Sequence, residues 1–166
     1  MLARPTVGNI FDTRFEENTF SIMNPQPFVV EPKNYTRPLN VVGEHITLLA
    51  SGAATRSYEI FLQQGPEGSG PPPHNHPWDA AFYVTKDEIE FGVGKETRTL
   101  VPGSPVHLPA GTTHWFRFGK GGGEMISMTS RLGASQMFAD IDREISPDNP
   151  DTVSNSILAC PDKVVE

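Results

Sequence analysis

Gly68-Ser69-Gly70-Pro71-Pro72-Pro73-His74-Asn75-His76-Pro77-Trp78-Asp79-Ala80-Ala81-Phe82-Tyr83-Val84 is the stretch from which the architecture can be read. In extended backbone, successive side chains fall on opposite faces, so His74 and His76 project the same way. A second stretch, Gly103-Ser104-Pro105-Val106-His107-Leu108-Pro109-Ala110-Gly111-Thr112-Thr113-His114, reads as strand, tight turn, strand. If the strand begun by His114 lies beside the first segment, three imidazoles meet at one point. Such a cluster suits a borderline divalent metal.

Working outward, glycine (15) and proline (16) make up nearly a fifth of the 166 residues, which agrees with many short strands joined by turns. Apolar and β-branched runs bounded by turn residues predict strands at 28–31, 46–50, 58–63, 80–85, 88–93, 96–100, 106–108, 114–118 and 124–129. That spacing predicts an all-β sandwich or jelly-roll barrel. Past the last strand the period changes. Met137, Phe138, Ile141 and Ile145 form one helical stripe, ended by Ser146-Pro147, which would pack over one end of the barrel or on a dimer interface. The chain divides into an N-terminal arm (1–40), a barrel (41–132) and a C-terminal helix and tail (133–166). The arm either adds a strand to a partner subunit or forms a loosely ordered tail.

The two histidine segments resemble the paired motifs of the cupin superfamily. The first family motif, G-x5-H-x-H, is matched by Gly68, His74 and His76, and the second, G-x5-P-x-G-x2-H, by Gly103, Pro109, Gly111 and His114. The wording around Phe82-Tyr83-Val84 is similar to that of small single-domain cupins labelled quercetin-dioxygenase-like. The resemblance implies an all-β cupin jelly-roll, a single metal held by His74, His76 and His114, and a homodimer paired through sheet edges. Three departures accompany it. Phe118 stands at the family's asparagine position, Asp87 replaces the first motif's closing glycine, and Ala80 occupies the position of the usual ligand glutamate. Asp79 is adjacent, but strand parity turns it away from His76 unless a bulge intervenes.

Composition narrows the partners. A net charge of −7 without a basic patch argues against nucleic acid. No apolar run is long enough to span a bilayer, and the N-terminus lacks a signal peptide's apolar stretch, so a cytoplasmic protein is expected. The lone Cys160 rules out an intramolecular disulfide.

Three functions follow. The leading expectation is a metal-dependent enzyme on a small aromatic or polyketide-like substrate, of dioxygenase type, using one divalent ion (iron, manganese, nickel, copper or zinc). The second is a non-oxidative cyclase, isomerase or dehydratase, with zinc as Lewis acid or histidines as acid and base. The third is a ligand-binding cupin with a degenerate site. His74, His76 and His114 carry the chemistry in the first two, with Tyr83 and Asp79 as candidate assistants. On its strand His114 shares a face with Phe116 and Phe118, and these, with Phe82 and Met128, are the candidate pocket residues.

Overall fold

The computed structural model describes residues 24–130 and 133–144. Nine strands follow one another: β1 (Leu39–Val41), β2 (Glu44–Ala50), β3 (Glu59–Gly65), β4 (Ala80–Lys86), β5 (Ile89–Val93), β6 (Glu96–Leu100), β7 (Pro105–Leu108), β8 (His114–Phe118) and β9 (Gly123–Thr129). A short helix, α1 (Gly52–Thr55), links β2 to β3, and α2 (Ala134–Glu144) follows β9. The strands form two facing antiparallel sheets, in the orders β1-β2-β3-β9-β4-β7 and β6-β5-β8. This is the jelly-roll barrel expected from the spacing of turns.

Alternation along the strands sets which side chains turn inward. Register across the large sheet lines them up in rows: Gln63, Met125 and Val84; then Phe61, Ser127 and Phe82; then Glu59, Thr129 and Ala80. The inward residues form two apolar clusters. One lies between the sheets and contains Phe82, Val84, Ile89, Phe91, Leu108, Phe116, Phe118 and Met125. The other closes one end, where Ala134 and Ile141 of α2 meet Val41, Ile46, Phe61 and Trp78. The helix thus packs over the barrel end, with Phe138 edge-on to Phe61 at 5.1 Å. Arg37 pairs with Asp142, and the backbone N–H of Asn40 also donates to Asp142, tying the helix to β1. Ile145 of the expected stripe lies outside the described residues.

Two features of the N-terminal region differ from the sequence expectation. Residues 28–31 form no strand; Phe28 and Val29 are exposed, and a single 3-10 turn, Pro32–Asn34, follows. The cause is local. Pro25, Pro27 and Pro32 surround the apolar run and supply no N–H to a ladder. The first strand comes instead at Leu39–Val41, folded back on β2 through a two-residue turn at Val42 (φ 52°) and Gly43 (φ 80°). Positive φ at both central residues is the hairpin geometry whose twist matches its strands. A β-branched valine is a poor signal for it, which is why the hairpin was invisible in the sequence. Of the predicted arm, residues 1–23 lie outside the described residues.

Candidate metal centre

The segment from Gly68 to His76 runs beside β8 and extends the small sheet. Its ends are hydrogen-bonded: the Gly68 N–H donates to the Phe118 carbonyl, and His74 and His114 exchange both backbone bonds, at 3.0 and 2.9 Å. Between these ends the three prolines have no N–H to offer, so no regular strand forms. Arg117 fills part of the gap, donating to the Gly70 and Pro71 carbonyls. Gly70 lets the chain approach this closely. A Cβ there would lie 2.2 Å from the Phe116 carbonyl oxygen, at a φ of 138°. Farther on, the Gly111 N–H donates to the His76 carbonyl, holding the turn before β8 against the first motif.

This pairing brings the three imidazoles together, with a ligand atom from each within 4.8 Å of the others. His74 and His114 lie 4.2 Å apart between ring centroids, and His76 and His114 5.1 Å. Each ring is oriented the same way. Nδ1 of His74 donates to the Pro72 carbonyl, that of His76 to Trp78 and that of His114 to Thr112, at 2.8–2.9 Å. A carbonyl only accepts, so Nδ1 carries a proton in each ring, and a ring that is neutral keeps its lone pair on Nε2. Backbone carbonyls are common outer partners of metal-binding histidines, and they fix this tautomer. Burial, reinforced by the neighbouring imidazoles, pushes His74 down to about 4 and His114 down to about 3, so both rings are neutral at physiological pH. Nε2 of His114 is buried and without a hydrogen-bond partner. Converging ligand atoms, Nδ1 bonds that fix the tautomers and the unpaired Nε2 of His114 together fit a divalent transition metal held by His74, His76 and His114.

The rings stand at the edge of an apolar cavity of about 80 Å³, several times the roughly 10–15 Å³ that one water requires. Trp78 stacks on His76 at 4.9 Å, and Phe82 lies 5.9 Å from His114. The barrel contributes Ile46, Phe116, Ser127 and Thr129 to the wall, and α2 contributes Met137, Phe138 and Ile141. Ala80 is buried and lines the same space, so its methyl group stands inside the cavity, where a longer acidic side chain would reach toward the imidazoles.

Of the candidate pocket residues, Phe82 and Phe116 line this cavity. Four other candidates lie elsewhere. Asp79 is exposed, and its carboxylate accepts the Ala110 N–H at 2.9 Å, so it fastens the turn before His114 and does not replace the glutamate. Tyr83 is half-exposed on the outer face of β4, as parity with inward Phe82 requires. Met128 is likewise exposed, on the outer face of β9. Phe118 is buried but packs between Gly65 and Gly123, outside the cavity lining.

Two polar residues on the wall were missed. Glu44 and Gln63 are both buried, line the cavity, and each presents an oxygen with no hydrogen-bond partner. Burial raises the Glu44 carboxyl well above the usual carboxylate range, with the Arg117 charge opposing. The signal was available: Glu44 is in phase with Ile46, and Gln63 with Phe61, on strands whose inward faces are apolar.

A family model described as a cupin domain matches residues 61–127. No curated protein sequence matches the chain. Solved structures with similar folds include KdgF from Halomonas sp., at 19% identity and TM-score 0.60, covering 66% of this chain and 99% of that one. The polyketide cyclase RemF from Streptomyces resistomycificus aligns at 15% identity and TM-score 0.56, covering 63% of this chain and 80% of that one. Ectoine synthase from P. lautus aligns at 14% identity and TM-score 0.60, covering 69% of this chain and 85% of that one. Identities this low speak for the fold alone. Both cupin motifs fall where the barrel brings their histidines together, and with the domain match over 61–127 this supports placement in the cupin superfamily.

Proposed function

We propose that this protein is a metal-dependent enzyme acting without oxidation on a small, largely apolar substrate, in a cyclisation, isomerisation or dehydration. The observation that carries this reading is the set of three converging imidazoles, two of them held neutral by burial and each with Nδ1 turned to a backbone carbonyl, at the edge of an apolar cavity. A divalent metal such as zinc, when bound by these residues, supplies a Lewis acid for a carbonyl or hydroxyl oxygen. The chain does the rest. Carbonyls of Pro72, Trp78 and Thr112 hold the rings in position, and Phe82, Phe116 and Trp78 orient an apolar body and keep water away. With alanine at position 80, no carboxylate offsets the metal's charge from that side, which favours the electrophilic role. Similarity in fold to a polyketide cyclase supports ring closure as one of these reactions.

Dioxygenase chemistry at the same centre is the second reading. Imidazoles also suit iron and copper, and Phe82 and Phe116 beside His114 suit a flat enol or phenolate. Elemental analysis of protein purified without a histidine tag tests both readings, beside a His74→Ala/His76→Ala control. Near-stoichiometric zinc, lost in the control, is expected. Iron or copper with oxygen uptake on enol or phenolic compounds would move the assignment to the second reading. Absence of metal after reconstitution would overturn both.

A further inference from the structure

Among the described residues, three buried side-chain polar atoms have no hydrogen-bond partner: Nε2 of His114, Oε2 of Glu44 and Oε1 of Gln63. All three residues line one cavity. Buried polar atoms are nearly always paired, because an unpaired one loses its hydration with nothing in return. Three such atoms around a single space point to a ligand that pairs them. A metal held by the three histidines would account for the first. The other two need a separate partner.

Strand register makes Glu44 and Gln63 neighbours. Gln63 pairs directly with Ile46 across β2 and β3, and Glu44 lies two residues before Ile46 on the same face. That diagonal relation is roughly 7–8 Å between backbones, within reach of two long side chains. Gly65, on β3 beyond Gln63, adds no side chain to this corner. The chemistry of the pair is complementary. Burial favours the protonated Glu44 carboxyl, and in that form it is a hydrogen-bond donor. The free Oε1 of Gln63 is an acceptor. A hydroxyl group is the simplest function that accepts from one and donates to the other. A carboxylate would only accept, leaving Gln63 Oε1 unpaired and facing like charge. An ether could not donate.

We propose that Glu44 and Gln63 form a second polar pole of the cavity, which recognises a neutral hydroxyl group (alcohol, phenol or enol) on the substrate. The apolar wall between Phe116, Phe138 and Ile141 then carries the hydrocarbon body. The inference takes this cavity to be the substrate site, as proposed above, and adds a requirement on the substrate: one hydroxyl placed away from the metal-binding atom.

Full-length protein, metal-free and zinc-loaded, is titrated with p-cresol and with its methyl ether, 4-methylanisole, by calorimetry and by tryptophan fluorescence, since Trp78 lines the cavity. The metal-free protein carries Glu44 and Gln63 whether or not zinc binds, so this pole and the metal reading fail independently. The expected result is p-cresol binding at least about ten-fold tighter than the ether, since a pocket built to bond a hydroxyl rejects the analogue lacking its proton. Gln63→Leu and Glu44→Leu should each bring that ratio close to one. Glu44→Gln should preserve it, because the amide N–H still donates. In ligand-free thermal melts, Gln63→Leu should unfold at or above the wild-type temperature, because it removes an unpaired buried oxygen. Equal binding of the two probes, no measurable binding of p-cresol, or an unchanged ratio in Gln63→Leu overturns the proposal. So does a clear fall in melting temperature for Gln63→Leu, which would show the amide serving the fold.

Discussion

Glu44 and Glu59 begin adjacent strands, β2 and β3, at opposite ends of the barrel, and both are almost completely buried. Their surroundings are opposite. Glu59 receives the backbone N–H groups of Gly52, Gly133 and Ser135 and the Ser135 hydroxyl. It therefore caps the first turn of α2, where an anion is favoured, and ties that helix and α1 to β3. Glu44 has an oxygen with no partner and faces the cavity. The same residue type thus serves the fold at one end and is costly to the fold at the other. A buried carboxyl surrounded by donors serves the fold, whereas one left unpaired persists for another reason.

The sharpest way to break this comparison is to delete each carboxylate in turn. Glu59→Leu strands four donors at once. The expected loss is about 4 kcal/mol in urea unfolding, the low end of roughly 1–3 kcal/mol for each of four unmade bonds, because three of them are only part-buried. A loss under 1 kcal/mol would show that α2 is held by its apolar face alone.

Acid titration of metal-free protein gives the next largest effect, and it reads the histidine end of the cavity. The folded values for His74 and His114, about 4 and about 3, lie below the ordinary imidazole value of 6.5. The unfolded chain therefore takes up protons first as pH falls. Stability should be full above about 6.5 and fall progressively toward pH 4, by about 3 kcal/mol for His74. Bound metal should deepen the loss, because protons and metal compete for Nε2. Unfolding free energies of wild type and a His74→Asn/His114→Asn variant at pH 7 and pH 5 test this, and a variant that keeps the full acid-side loss would refute it.

Glu44→Gln probes the other member of the pair, with the opposite sign. The folded carboxyl titrates above its unfolded counterpart, so its contribution is fully present below the unfolded value of about 4.5 and is lost as pH rises through the folded one. Glutamine does not titrate. The variant should therefore gain on wild type as pH rises from 5 to 8. A variant less stable than wild type at pH 8 would mean that Glu44 carries a structural bond.

The contrast between the two glutamates also marks what the sequence could and could not convey. The barrel and the meeting of His74, His76 and His114 were legible, because strand alternation and the spacing of Gly103, Pro109, Gly111 and His114 are local properties. Tyr83 and Met128 were misplaced, although the same alternation applied to Phe82 and Ser127 puts both on the outer surface. Phe118 shares the face of His114 but is too far along β8, which parity alone does not reveal. Glu44 was hidden by the unusual Val42-Gly43 turn, since without β1 its position begins no strand. The capping role of Glu59 joins residues more than seventy positions apart, and no local pattern encodes that.

Asp79 offers the smallest test and the finest one. Its carboxylate accepts the Ala110 N–H, and its backbone is paired with Ser130, so it bridges the entry to β4 and the turn that leads to His114. The bond is exposed, so Asp79→Ala should cost only about 0.5–1 kcal/mol of stability. The turn also holds the Thr112 carbonyl that fixes the His114 tautomer. Loosening it should therefore weaken metal retention more than it weakens the fold, by about ten-fold, the lower range for an outer-shell change. Zinc competition against a chelator, run beside urea unfolding, separates the two effects. Weaker zinc retention at near-wild-type stability is the expected pattern. Unchanged retention would show that the Gly111-to-His76 backbone bond is sufficient to place His114, and a ligand role for Asp79 would require loss of metal altogether.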